Sequence, residues 1–348
     1  VGHPAIHNRT PFVLEPLFLA DEEGRPLLVP VVKATYQIRG TDALELAEEQ
    51  VALCPEGEYW GDPETSSYKY EPECAFVKPA TDVVLIGHAR PEKRGATEVN
   101  VGLRVGNLQK VATIFGDRLW FRSVGRVSMT RPQPFEAIPL IWERSFGGWD
   151  RSNPEPDKHT FEPRNPVGTG FHGKGGKFEE GIRLPNIEDP NHLVKGNGDH
   201  PVPHGFGFVS PNWQPRAALA GTYDAAWMKT RMPLLPKDFD RRFLNAAPAG
   251  QVAPGYLRGD EPVVIANVGA PRTTFKLPGV PPPQVEVGLR GGKRESLQTQ
   301  LDTVILNLDE KIVLLLWRAY LVVRTGPPDV LSIEARTDGA THPAAKGR

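Results

Sequence analysis

The stretch EVNVGLRVGNLQKVATIF, residues 98–115, decides the fold class. Val99, Val101, Leu103 and Val105 fall at every second position, the period of a strand with one buried face. Gly106-Asn107 follows as a turn signal, and the apolar segment resumes in KVATIF, so an antiparallel hairpin is predicted. Outward from it, TDVVLIGHAR (81–90) and PLLVPVVKATYQI (26–38) also read as strands. Pro30 predicts an edge or a bulge in the latter, because proline cannot donate to a ladder. Toward the C-terminus PQVEVGLR, SLQTQLDTVILNL, KIVLLLWRAYLVV and VLSIEAR are separated by Gly-Gly, Asp-Glu and Gly-Pro-Pro, which predicts an antiparallel meander.

Helices are few. Thirty-six prolines and 35 glycines in 348 residues punctuate the chain with turns. Thr222 is positioned to cap YDAAWMKTR, which Pro233 ends, and Tyr223 and Trp227 lie one turn apart on what reads as a core face. A second short helix is expected near DFDRRFLNA (238–246). From Phe146 to Pro215 no period persists, yet Phe146, Trp149, Phe161, Phe171, Phe206, Phe208 and Trp213 argue against disorder. The expected fold is therefore mainly β, with antiparallel sheets packed as a sandwich or distorted barrel, a few short helices and a long ordered loop-rich central region. Length alone fits about two domains or one large β domain. The expectation is one domain over 1–348, with a β-rich part (1–145), a loop-rich part (146–215) and a part with short helices and the meander (216–348).

The charge balance, 41 Lys and Arg against 42 Asp and Glu, provides no overall field toward nucleic acid or anionic membrane. Cys54 and Cys74 make no disulfide framework and no CxxC pair, and are expected to be buried or partly buried thiols in a reducing compartment. VGHPAIHNRTPFVLEP lacks the pattern of a secretory signal, and the apolar run Ile312 to Val323 is interrupted by Arg318 and shorter than the ~20 residues of a spanning helix. A soluble, cytoplasmic protein is expected.

RNPVGTGFHGKGGK (164–177) sets Gly168, Gly170 and Gly173 in the spacing of a dinucleotide loop, followed by Lys174. Neither flank reads as the required strand or helix, and Gly175 stands where a phosphate loop needs a hydroxyl, so nucleotide binding is not expected. The glycines, with Asn165, read instead as positive-φ turn formers, and Lys174 and Lys177 as solvated. His159, His172, His192, His200 and His204 share this region with Asp150, Glu162, Asp189 and Asp199, the composition of a metal-assisted hydrolase or carbohydrate-active enzyme. No HExxH or GxSxG occurs, and Ser145 and Ser210 lack an elbow context. No cofactor or metal is expected.

The blocks RSFGGWD (144–150) and RNPVGTGF (164–171), with GFGFVSPNWQPR (205–216), GTYDAAWMKTRMPLLPKDFDRRFLNAAP (221–248) and YLRGDEPVVIANV (256–268), resemble the family called domain of unknown function 2169, in the same order. The resemblance covers essentially the whole chain. Departures are Ala249-Gly250, where Pro-Asp is expected, the segment HGKGGK, and the absence of the pentapeptide repeats some relatives carry. It implies an adaptor or chaperone of type VI secretion that binds a toxic effector in the cytoplasm and helps mount it on the VgrG and PAAR spike, without catalysis, nucleic acid or membrane. The family-motif or partner-binding candidates are Phe146, Gly147, Gly148, Trp149, Asp150, Arg164, Asn165, Pro166, Gly168, Gly170, Trp213, Tyr223 and Trp227. Phe146, Trp149 and Arg164 would line a partner surface and Asn165 would fix the loop backbone. Against this, Trp149 beside two glycines is expected to pack into the core, with Asp150 capping a turn or pairing with Arg151 or Arg164. Arg216 and Arg231 read as internal ion-pair partners.

Overall fold

In the computed structural model, which describes residues 3–173 and 180–337, Glu98–Val105 and Leu108–Phe115 form the expected hairpin. Val105 faces Leu108 across a two-residue turn in which Gly106 takes φ 57°. Val101, Leu103 and Val105 are buried on one face, as the alternation requires. The hairpin lies inside a sheet ordered Ile138–Pro139, His88–Ala89, Pro262–Val268, Glu98–Val105, Leu108–Phe115, Ile187–Glu188, with Ala270–Lys276 also paired to Pro262–Val268.

A second sheet runs Val13–Ala20, Pro26–Arg39, Ile312–Arg318, Gln300–Asn307, Asp82–Ile86, antiparallel except for its last pair. Ala43–Leu46 and Leu321–Val322 also pair with Pro26–Arg39. A third sheet orders Ala5–Asn8, Val330–Arg336, Gln284–Leu289 and Arg294–Gln298. One apolar cluster takes inward residues from all three, including Leu28, Val32, Leu103, Ile265, Val287, Leu315 and Ile333. A separate cluster covers the other face of the second sheet through Leu27, Val29, Val31, Leu314 and Leu316 against Phe76, Phe208 and Ala246. Burial on both faces explains why PLLVPVV and KIVLLLW carry no alternation. The architecture is mainly β and sandwich-like, and the described sheets do not close into a barrel.

Three local expectations are corrected. The C-terminal segments are not one meander: SLQTQLDTVILNL divides at Thr299 between two sheets, and Val330–Arg336 pairs with Gln284–Leu289, not with its predecessor in sequence. TDVVLIGHAR likewise changes sheet at Gly87, where an added Cβ would lie 2.5 Å from Val268 Cγ1. Pro30 is inside its sheet, not at an edge. Its carbonyl accepts from Ala319 N, where the neighbouring chain breaks between Arg318 and Leu321, so the missing donor falls at an irregularity.

The α-helix spans Ala225–Thr230 and is capped by Asp224, whose carboxylate accepts from Trp227 N at 2.8 Å, whereas Thr222 binds Asp238. Tyr223 and Trp227 pack edge to face at 4.7 Å, but Tyr223 is exposed and Trp227 half-buried, so they form no core face. Arg241–Leu244 forms a short 3-10 turn within the region expected to be helical. Arg216 pairs with Glu71 and Arg231 with Glu23. Cys54 is half-buried and Cys74 exposed. Among the described residues no helix is long and apolar enough to cross a membrane.

Candidate functional site

Within 146–215 the described chain is held by two-residue strand pairs: Phe146–Gly147 beside Thr169–Gly170, and Trp149–Asp150 beside Thr160–Phe161. Packing between them depends on glycine. Gly147 adopts φ 150°, and a Cβ there would lie 2.1 Å from Asn165 O. Gly148 takes φ 96° while its N–H donates to Asn165 O at 2.9 Å. Gly170 has φ 89°, but Gly168 and Asn165 do not adopt positive φ. Gly168 is required by proximity, since its Cβ would meet Asn165 Nδ2 at 2.4 Å and Ser145 O at 2.7 Å.

Asn165 is fully buried and donates through Nδ2 to Trp142 O at 2.9 Å and Phe146 O at 3.0 Å, fixing the loop backbone. It therefore occupies the space beneath the Gly147-Gly148 turn where Trp149 was expected. Trp149 points outward instead, 45% exposed, and stacks on Phe161 at 4.5 Å with Arg151 5.3 Å from its ring centre. Phe161 is itself 41% exposed. The core is occupied by Phe146, which touches the rings of Phe171 and His200, so Phe146 supports the surface without lining it. Arg164 is likewise committed internally, with a two-point bond to Glu162 and a further one to Pro201 O.

These loops bound an open cleft of about 770 Å³ lined by Gly147 to Ser152, Phe161, Pro166 to His172, Ile182, Ser210, Asn212 and Trp213. Tyr59 and Pro63 to Ser66 complete it. Of the residues singled out from sequence, Gly147, Gly148, Trp149, Asp150, Pro166, Gly168, Gly170 and Trp213 line the cleft, and Phe146, Arg164 and Asn165 lie in the same loop framework. Tyr223 and Trp227 do not line it.

The contribution of 59–66 was missed. Tyr59 stacks on Tyr68 at 4.1 Å, and Ser67 donates from its N–H and hydroxyl to the two Glu143 oxygens at 2.7 and 2.8 Å. The YxxxxxxxxY spacing and a distant glutamate carry no local signal that these segments meet.

Burial would raise the Asp150 carboxyl, but hydrogen bonds from Ser152 and the Gly173 amide, with His172 nearby, outweigh it and hold the group below the ordinary carboxylate range. Asp150 thus caps the Ser152 turn and ties down Gly173, without an ion pair to Arg164, which binds Glu162. The histidines disperse to different partners. His159 bonds Asn153 O, His204 bonds Val111 O, His192 bonds Asp189, and His200 packs on Phe171. Among the described residues no group of three or more His, Cys, Asp or Glu could hold a metal ion. Lys174, Gly175 and Lys177 lie outside the described residues.

A bacterial family model, described as "Uncharacterized protein conserved in bacteria (DUF2169)", matches residues 23–318, a span containing every residue of the cleft. No curated protein and no solved structure matches the chain.

Proposed function

The chain belongs to the DUF2169 family, and on that premise we propose that it is a non-catalytic adaptor of type VI secretion, a cytoplasmic chaperone that holds a toxic effector and helps load it onto the VgrG and PAAR spike. The observation that carries this proposal is the exposed Trp149–Phe161 stack beside an open cleft whose framework is already fixed by hydrogen bonds. Aromatic anchors of this kind contribute a large share of binding energy at protein interfaces, and a rigid framework reduces the ordering cost of association. The polar groups of the loop framework are used in construction: Asn165 and Asp150 hold backbone, and Arg164 and Glu162 hold each other.

Co-expression with the effector encoded beside it and with the spike proteins tests the proposal. A stable complex that co-elutes in size-exclusion chromatography is expected. Failure of both effector and spike proteins to associate overturns it, as does turnover of a small molecule that is lost when Asp150 or His172 is replaced.

A further inference from the structure

We propose that a second pocket, which shares no residue with the cleft, binds a single neutral sugar ring. The pocket holds about 240 Å³, and its walls include Phe76, Tyr256, Gln298, Asp302, Arg318 and Tyr320. Pockets for drug-sized ligands start near ~300 Å³, so this one suits a ligand of monosaccharide size and is too small for a nucleotide or a peptide segment. Its place in the fold follows from two irregularities. The register of Gln300–Asn307 against Ile312–Arg318 slips between Leu301 and Thr303, which makes Asp302 the extra residue of a bulge. Bulges re-aim the side chain they carry. Across from it, the facing strand ends at Arg318. A carboxylate and a guanidinium thus meet at 2.9 Å where both strands leave the ladder.

Both groups are buried, Asp302 to 1% exposure and Arg318 to 4%, and both are short of hydrogen bonds. Asp302 Oδ1 accepts from the Thr303 hydroxyl, and Arg318 Nη2 donates to Glu73 O. Asp302 Oδ2 and Arg318 Nε and Nη1 have no hydrogen-bond partner among the described residues, because the contact of Nη1 with Oδ2 is an ion pair out of line for a hydrogen bond. Buried polar atoms left in this way call for a partner, and the pocket they line is the space for one.

Charge decides the partner's chemistry. Among the described residues Lys78, also in the wall, lies 2.8 Å from Asp82 and 4.0 Å from Glu71, Glu71 pairs with Arg216, and Asp302 with Arg318, so three cations meet three carboxylates. Arg241, over the Phe76 ring, is paired with Glu22. An anion in the pocket would face Asp302, and a cation would face Lys78 and Arg318. A hydroxyl both donates and accepts, so adjacent sugar hydroxyls complete Asp302 Oδ2 and the Arg318 N–H groups without adding charge.

The tyrosines supply the apolar side of the site. The Tyr256 hydroxyl is held by Lys78 O, which leaves its ring 39% exposed, and the Tyr320 ring is 42% exposed. Among the described residues no aromatic ring or cation stacks on either. The C–H face of a pyranose rests on such rings, whose faces carry negative potential.

The test is a saturation-transfer NMR titration of the full chain with glucose, galactose, mannose and N-acetylglucosamine, against glucuronate, glucosamine and acetamide. Saturable binding of at least one neutral sugar near ~1 mM is expected, ~10-fold tighter than the acid, the amine or the amide. Tyr256→Ala and Asp302→Asn should each weaken it ~10-fold, whereas Tyr256→Phe, which keeps the ring, should retain it. Tyr256 is exposed, so its variants should fold, which circular dichroism checks; if Asp302→Asn does not fold, Tyr256→Ala decides. Absence of saturable binding by all four neutral sugars, tighter binding of glucuronate, glucosamine or acetamide, or undiminished binding in either folded variant overturns the inference.

Discussion

Asn165 shows how much of the cleft depends on one side chain. Its amide bridges the carbonyls of Trp142 and Phe146, and its Oδ1 is buried without a hydrogen-bond partner among the described residues. Asn165→Ala leaves two buried carbonyls without that donor, and the cost should be about 2–3 kcal/mol in urea unfolding at neutral pH. Trp149→Ala, by contrast, removes an exposed ring and should change stability by less than about 1 kcal/mol while weakening partner binding. The pair of variants separates scaffold from surface. Sequence reasoning identified Asn165 as the residue fixing the loop but placed Trp149 inside, from the tendency of a large aromatic beside tight-turn glycines to fill the core. That tendency fails here because Asn165 lies within 3.0 Å of where a Gly147 Cβ would sit, leaving the indole no inward path.

At the scale of elements, alternation was legible where one face of a strand is buried, as in Glu98–Val105, and connectivity was not. Continuous apolar runs such as Leu27 to Val32 announce burial on both faces without naming neighbours. The changes of sheet at Gly87 and Thr299 leave no periodic trace, since strand pattern persists on either side. Lys33 is a second illegible feature: a lysine in a run of β-branched residues reads as a solvent-facing position, yet it is 1% exposed and bonds both Glu73 oxygens at 2.8 Å. Glu73 Oε2 also accepts from Cys54 N, and Arg318 donates to Glu73 O, so the pair joins strand Pro26–Arg39 to the segments on either side of the antiparallel pair Glu58–Tyr59 and Tyr68–Tyr70, whose Tyr59 lines the cleft. Lys33→Met strands a buried carboxylate and should cost about 3–5 kcal/mol, whereas Lys33→Met with Glu73→Gln should recover a substantial part, because the amide keeps an acceptor for Cys54 without the charge. Chemical denaturation of the two single variants and the double variant measures the coupling. Equal stability of Lys33→Met and the double variant would place the cost in lost packing.

Across the whole molecule, the loop-rich region is attached to the opening hairpin at Lys110 and His204. Lys110 donates to the carbonyls of Gly205 and Ala249, and His204 bonds Val111 O at 2.9 Å while its backbone exchanges hydrogen bonds with Ser145 Oγ. Burial pushes the Lys110 ammonium down to about 7, and burial, with Lys110 beside it, pushes the His204 imidazolium down to about 4. For both bases the unfolded chain takes up a proton before the folded one does, so each lowers stability as pH falls. The Lys110 contribution declines between about pH 10.4 and 7. That of His204 is fully present above about pH 6.5 and is lost as pH falls toward 4. Other groups shift with both signs: hydrogen bonds hold the half-buried Asp150 and Asp189 low, whereas burial raises Glu71 and Glu188. A difference measurement isolates the histidine. His204→Gln retains a donor for Val111 O but cannot charge, so the stability gap between the native chain and the variant should move by about 2–3 kcal/mol in favour of the variant from pH 7 to pH 4, and remain flat from pH 7 to 8.5. Denaturant midpoints across that range supply the test; a gap that does not change below pH 6.5 would mean that His204 titrates alike in the folded and unfolded chain.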